Sequence, residues 1–138
     1  HKAIRRQRQM CIRDRVTFDL NNLKMCNDNY GHSSGDAYII HSAHIIETTF
    51  DRFGKCYRIG GDEFCCLIPD AAEFQIERFI QKMQQDIAIL NNKNIIPTEV
   101  GIACGYALAT PDDADIEKVR ERADEMMYHN KKVLKGLI

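Results

Sequence analysis

An α+β domain, an antiparallel sheet with helices packed against it, is the architecture the sequence predicts, and three observations carry that expectation. Short β-rich runs occur at residues 16–19, 56–59, 64–68 and 100–108. The second and third are joined by Gly60-Gly61-Asp62-Glu63, a hairpin signal between two apolar stretches. The remaining segments carry apolar residues at helical spacing, and this order of helices and strands favours a layered domain.

Each element can be justified in turn. The first strand delivers Asp19 at its end, and Asn21 and Asn22 follow as residues suited to cap a helix. Residues 23–29 read as a short helix halted at Tyr30-Gly31-His32. Asp36 is expected to cap a longer helix, with Ile39, Ile40, Ala43, Ile46 and Phe50 on one face. In the hairpin, Gly60 and Gly61 are expected to supply the positive φ that such turns need. Residues 71–90 repeat the helical stripe with Ile76, Phe79, Ile80, Met83, Ile87 and Leu90. Val100, Ile102, Cys104, Tyr106 and Leu108 alternate as a half-buried strand. A polar loop with Pro111 leads to a last helix marked by Ile116, Val119, Ala123, Met126 and Met127 and ending in lysines. These apolar stripes are core positions rather than cofactor contacts.

Composition narrows the function classes. With 138 residues and 44% hydrophobic content, the chain makes one soluble domain with a real core. A net charge of −1 argues against a nucleic-acid partner. No apolar run approaches the ~20 residues that span a bilayer, so no membrane contact is expected. Six cysteines without a CxxC pair suggest small core residues of a reduced, cytoplasmic protein.

Residues 1–15 stand apart. They are strongly basic and lack a secretory apolar region. A basic lead-in helix or nucleic-acid arm is the plainer account. The run from Arg5 to Arg15, however, back-translates to a string resembling a widely used sequencing adaptor, so residues 1–15 are expected to be a non-native artefact, with native sequence resuming near Val16.

The chemistry lies in the acids. If the first strand neighbours the hairpin, Asp19, Asp62 and Glu63 converge. A small set of hard oxygen ligands suits Mg²⁺, which binds through one or two carboxylates together with substrate phosphates. Solvated turn acids would be the plainer account of Asp62 and Glu63. Helix-start amides at Asn21 and Asn22 can hold phosphate. Asn27 and Asp36 can pair with a guanine edge, although capping roles would also account for them. Lys131, Lys132 and Lys135 suit either the helix dipole or a polyphosphate.

The segments FDLNNLKMCNDNYGHSSGDAYI, RIGGDEFCCLI, VGIACGYAL and ADEMMYHNKK follow the order and spacing of the GGDEF diguanylate cyclase family, which residues 16–138 resemble. That resemblance implies a palm-like fold, shared with nucleotide cyclases and polymerases, that condenses two GTP into cyclic di-GMP and two pyrophosphates. It implies Asp19, Asp62 and the Leu20 carbonyl as ligands of Mg²⁺ (or Mn²⁺), with Glu63 in the catalytic acidic pair. It implies guanine contacts by Asn27 and Asp36, and phosphate contacts by Asn22, Leu23, Lys131 and Lys135. Gly60 and Gly61 would let substrate lie against the turn. Reaction in such a family needs a homodimer, usually assembled by an upstream sensory segment.

The chain departs from the family pattern in four places. Asn21 replaces a frequent acid, Lys135 a frequent arginine, and residues 51–54 lack the inhibitory RxxD, so no product inhibition is expected there. The leading helix and its DxLTGLxNR segment are missing. The competing reading is a catalytically silent module that binds GTP and relays a signal.

Overall fold

The computed structural model describes residues 13–69, 72–113 and 115–136. The elements run β1 (Asp14–Leu20), α1 (Leu23–Tyr30), α2 (His32–Phe50), β2 (Lys55–Arg58), β3 (Glu63–Ile68), α3 (Glu73–Asn92), β4 (Ile102–Ala107) and α4 (Ile116–Leu134). The four strands form one antiparallel sheet in the order β2-β3-β1-β4. This is the expected α+β architecture.

β1 is an inner strand, with all seven of its residues buried. Strand alternation sends Val16, Phe18 and Leu20 to one face, where they meet Phe64, Cys66, Ile102 and Cys104. Helices α2 and α3 close that core with Ile46, Phe50, Ile76, Met83 and Ile87. Phe50 sits between Phe18 and Phe79, with ring centroids 5.3 and 5.7 Å away. On the opposite face, Ala107 packs against Val119 and Ala123 of α4. Helices therefore cover both faces of the sheet.

Several local expectations are corrected. Helix α2 begins at His32, because Gly31 at φ 91° ends α1 and starts the next helix directly; Asp36 lies inside α2 and is not its cap. Asn22 takes the N-cap position of α1 in a left-handed conformation, with no side-chain capping bond. Ile40 is exposed, because α2 turns Tyr38, Ser42, Ile45, Ile46 and Thr49 inward instead. Met126 is exposed while Met127 is buried. Gly60 and Gly61 do not have positive φ. β1 starts at Asp14, paired with Ile68, and Arg15 pairs with Leu67. Of the segment expected to be non-native, Asp14 and Arg15 lie in β1 and residues 1–12 fall outside the described set.

Candidate active site

The hydrogen-bond pattern of the sheet sets two acids face to face. Leu20 N–H donates to the Asp62 carbonyl at 2.9 Å, which makes the neighbouring pair Asp19 and Glu63 a non-hydrogen-bonded one. Side chains are closest in such pairs, about 4.5 Å between Cα atoms, and like charges directly opposite repel. The same bond anchors the hairpin turn against the end of β1. Arg58 wraps that turn, donating from Nε to the Gly60 carbonyl at 3.1 Å and from Nη2 to the Gly61 carbonyl at 2.9 Å. Around Gly60 and Gly61 there is open space, with no heavy atom within 4 Å of where a Cβ would stand.

Helix α4 supplies the cation. Lys131 Nζ donates to Asp19 Oδ2 at 2.9 Å. Gly105 sets the depth of this helix, since a Cβ there would overlap the Met127 nitrogen and the Ala123 carbonyl oxygen. Asn130 Oδ1, next to Lys131, accepts from the Cys104 amide at 3.0 Å and pins the helix to β4. Tyr38 fastens the other side. Its buried hydroxyl donates to the Asn21 carbonyl at 2.6 Å and accepts from Gly101 N–H at 3.0 Å, locking the segment that follows Asp19. Burial pushes the Tyr38 phenol up to about 12.

The electrostatics of the cluster are strained. Burial raises the Asp19 carboxyl above its ordinary range, the Lys131 hydrogen bond pulls it down, and Asp62 pushes it up again. Glu63 is raised by burial, then by Asp19, Asp124 and Asp62. Lys131 is raised by its bond to Asp19. Asp19 Oδ1 is buried with no hydrogen-bond partner. A buried acceptor left unpaired is costly, and one cation serves several acids. Among the described residues, no group of three or more His, Cys, Asp or Glu is arranged to hold a metal ion. Two carboxylates and a carbonyl remain as the candidate donor set.

A cleft of about 500 Å³ opens beside the cluster, lined in part by Leu20, Asn22, Leu23, Asp62, Lys131 and Lys135. Asn27 and Asp36 stand off its lining; Asn27 packs against Gly35, where a Cβ would overlap its Oδ1, so its carboxamide lies one residue from Asp36. Asp36 is exposed. Lys131, expected at a phosphate, is bonded instead to Asp19. Gly105, Tyr38 and Asp124 were absent from the sequence-derived site, although Gly105 lies inside the quoted VGIACGYAL segment and Asp124 inside ADEMMYHNKK.

Comparison with known proteins places this geometry. A family model described as "Diguanylate cyclase, GGDEF domain" matches residues 2–135, a match that begins within the stretch expected to be non-native. The chain belongs to the GGDEF-domain diguanylate cyclase family. It is 32% identical over 115 residues to the diguanylate cyclase DgcN of Escherichia coli, covering 82% of this chain and 28% of that protein. Diguanylate cyclase DgcS of Shewanella oneidensis is 28% identical over 131 residues, covering 92% of this chain and 42% of the relative. The chain thus spans less than half the length of these relatives. Among solved structures, the GGDEF domain of DgcB from Caulobacter crescentus, in complex with c-di-GMP, superposes with a TM-score of 0.78 at 23% identity. That match covers 87% of this chain and 72% of the other. The active GGEEF domain of a Vibrio cholerae diguanylate cyclase gives 0.77 at 21% identity, covering 96% and 85%. These two likenesses establish the fold. Among the described residues of this GGDEF domain, no helix is long and apolar enough to cross a membrane.

Proposed function

We propose that this GGDEF domain is the catalytic module of a diguanylate cyclase that condenses two GTP into cyclic di-GMP and two pyrophosphates. The observation that carries the reading is the convergence of Asp19, Asp62 and Glu63 beside an open cleft, with Asp19 Oδ1 unpartnered. A cation-seeking set of few hard oxygens fits Mg²⁺ or Mn²⁺, with Asp19, Asp62 and the Leu20 carbonyl as its holders. When bound, the metal would neutralise phosphate charge and favour attack at the α-phosphate.

The chain's own groups do the rest. The first amides of α1, at Asn22 and Leu23, together with Lys135, hold the phosphates. Lys131 is shared between Asp19 and the triphosphate. Asn27 and Asp36 read the guanine edge, the carboxylate accepting from ring and amino N–H groups. The bare Gly60-Gly61 surface lets substrate approach the turn. One subunit presents one GTP, so a homodimer brings the 3′-hydroxyl of one nucleotide to the α-phosphate of the other. A P–O bond forms there as the bond to pyrophosphate breaks. Glu63, whose affinity for protons is raised, is suited to accept the hydroxyl proton. Positioning supplies much of the acceleration.

The test uses the protein at its full natural length, in dimeric form, given GTP and Mg²⁺. Cyclic di-GMP is the expected product, and Asp62→Ala is expected to abolish it. A dimer that binds GTP tightly yet forms no product would overturn the enzyme reading in favour of a silent GTP-binding module.

A further inference from the structure

Cys56 and Cys66 form a site that the catalytic reading does not use. They are directly opposite in the β2–β3 ladder. Ile59 N–H donates to the Glu63 carbonyl at 2.9 Å, so Ile59 and Glu63 are a hydrogen-bonded pair, and alternation makes Cys56 and Cys66 a non-hydrogen-bonded one. The β1 side agrees, because Leu20 N–H bonds the Asp62 carbonyl and the same alternation turns the Cys66 backbone groups toward Val16. In a non-hydrogen-bonded pair the Cα atoms are about 4.5 Å apart, within the ~4.4–6.8 Å that disulfides span. Directly opposed residues also share a face, so the two sulfurs meet.

The chemistry of the pair is asymmetric. Cys66 is fully buried in the core, whereas Cys56 is half-buried on edge strand β2. The facing Cys66 thiol draws the Cys56 thiol below its ordinary value, whereas Cys56 and burial push the Cys66 thiol up. A half-buried thiol that ionises more readily than usual, backed by a buried resolving thiol directly opposite, is the arrangement of a two-electron redox pair. Among the other described cysteines, Cys26 lies on α1, Cys65 is opposite Tyr57 and Thr17, and Cys104 is opposite Phe18.

We propose that Cys56 and Cys66 are a reversible cross-strand disulfide site, closed by a two-electron thiol oxidant such as hydrogen peroxide. The Cys56 thiolate attacks one peroxide oxygen and breaks the O–O bond, giving a sulfenic acid and, after protonation, water. The Cys66 thiol then attacks the sulfenic sulfur, forming the S–S bond and releasing a second water. In sum, two thiols and one peroxide give one disulfide and two waters, and a dithiol reductant reverses the bond. The bond closes a covalent ring around residues 57–65, which contain the hairpin turn.

Peptide mapping of the full chain tests this independently of any nucleotide chemistry. After peroxide treatment, the intact protein is expected to lose two hydrogens. Trypsin without reductant then leaves Cys56-Tyr57-Arg58 joined to the peptide of residues 59–78, and dithiothreitol separates them. The link persists in Cys65→Ser and vanishes in Cys56→Ser, a substitution at a half-buried edge position. A link that runs to Cys65, or oxidation of Cys56 to sulfinic acid with no link, overturns the proposal.

Discussion

Helix α4 reaches a buried carboxylate with a cation from each of its two ends: Arg122 meets Asp113, and Lys131 meets Asp19. At the Asp113 end every demand is met. Arg122 binds both carboxylate oxygens, at 2.6 and 2.9 Å, and the Thr110 amide and hydroxyl add bonds at 2.7 and 3.1 Å. The guanidinium holds Asp113 well below the usual carboxylate range. At the Asp19 end Lys131 serves one oxygen, the other is unpartnered, and Asp62 and Glu63 crowd the same spot. Both ends have the same helix, the same pairing and similar burial. One end is closed on itself, and the other is left short of positive charge, as the proposed binding of a cation there would require.

The largest effect that would break this contrast comes from Asp19→Asn. If the proposed cyclase activity holds, its turnover in the full-length protein should fall by about 100-fold or more, the scale seen when a transition-state contact is removed. The thermal midpoint should hold or rise, because a repelled buried charge is gone. Loss of stability with retained activity would show the site to be structural. Next in size is Gly105→Val, which drives a side chain into the α4 backbone. Urea unfolding should report about 3 kcal/mol of lost stability. An unchanged midpoint would mean that the helix is not seated by contact at that residue.

Acid titration separates the two ends by sign. Asp113 has a lowered folded pKa, so its contribution is present at neutral pH and is lost as pH falls below about 4, the unfolded value. Asp113→Asn should therefore melt below the wild type at pH 7, with the gap closing in acid. Glu63 has a raised folded pKa, so its ionised form is a liability at neutral pH that disappears on protonation. Glu63→Gln, with divalent ions chelated, should melt above the wild type at pH 7, again converging in acid. Equal signs for the two variants would erase the distinction. The smallest effect on stability belongs to Gly60→Ala. Folding should stay within about 0.5 kcal/mol, since nothing occupies the added methyl's place, while titration should show weaker GTP binding.

The sequence made the sheet legible because alternation and a Gly-Gly turn are local signals, and Asp19 and Asp62 came with them. The helix faces were read less well. Tyr38 rotates α2 inward to reach the Asn21 carbonyl, a contact across 17 residues of chain, and this turned Ile40 outward. Asp36 looked like a cap because Gly31 gave no hint that two helices would meet at one residue. Gly105 and the Lys131–Asp19 bond depend on strand register and helix seating, the bond joining residues 112 apart in sequence. Periodicity carries no information at that range. Of the two reasons the sequence offered for Gly60 and Gly61, positive φ fails, because the turn closes without it, while the open space around both residues is what close approach of a ligand would need.

The seat at Gly105 has a mechanical consequence. A helix that rides on side chains rests on groups that can flex and repack, a cushion with some give. Here backbone rests on backbone, and hard-core repulsion rises far more steeply than a rotamer yields. The cation at Lys131 is one helical turn beyond Met127, about 6 Å along the axis. Its backbone therefore hangs from an incompressible bearing rather than a spring, and hydrostatic pressure should change the spacing of α4 from β4 at Gly105 less than the spacing of helices that meet through side chains alone.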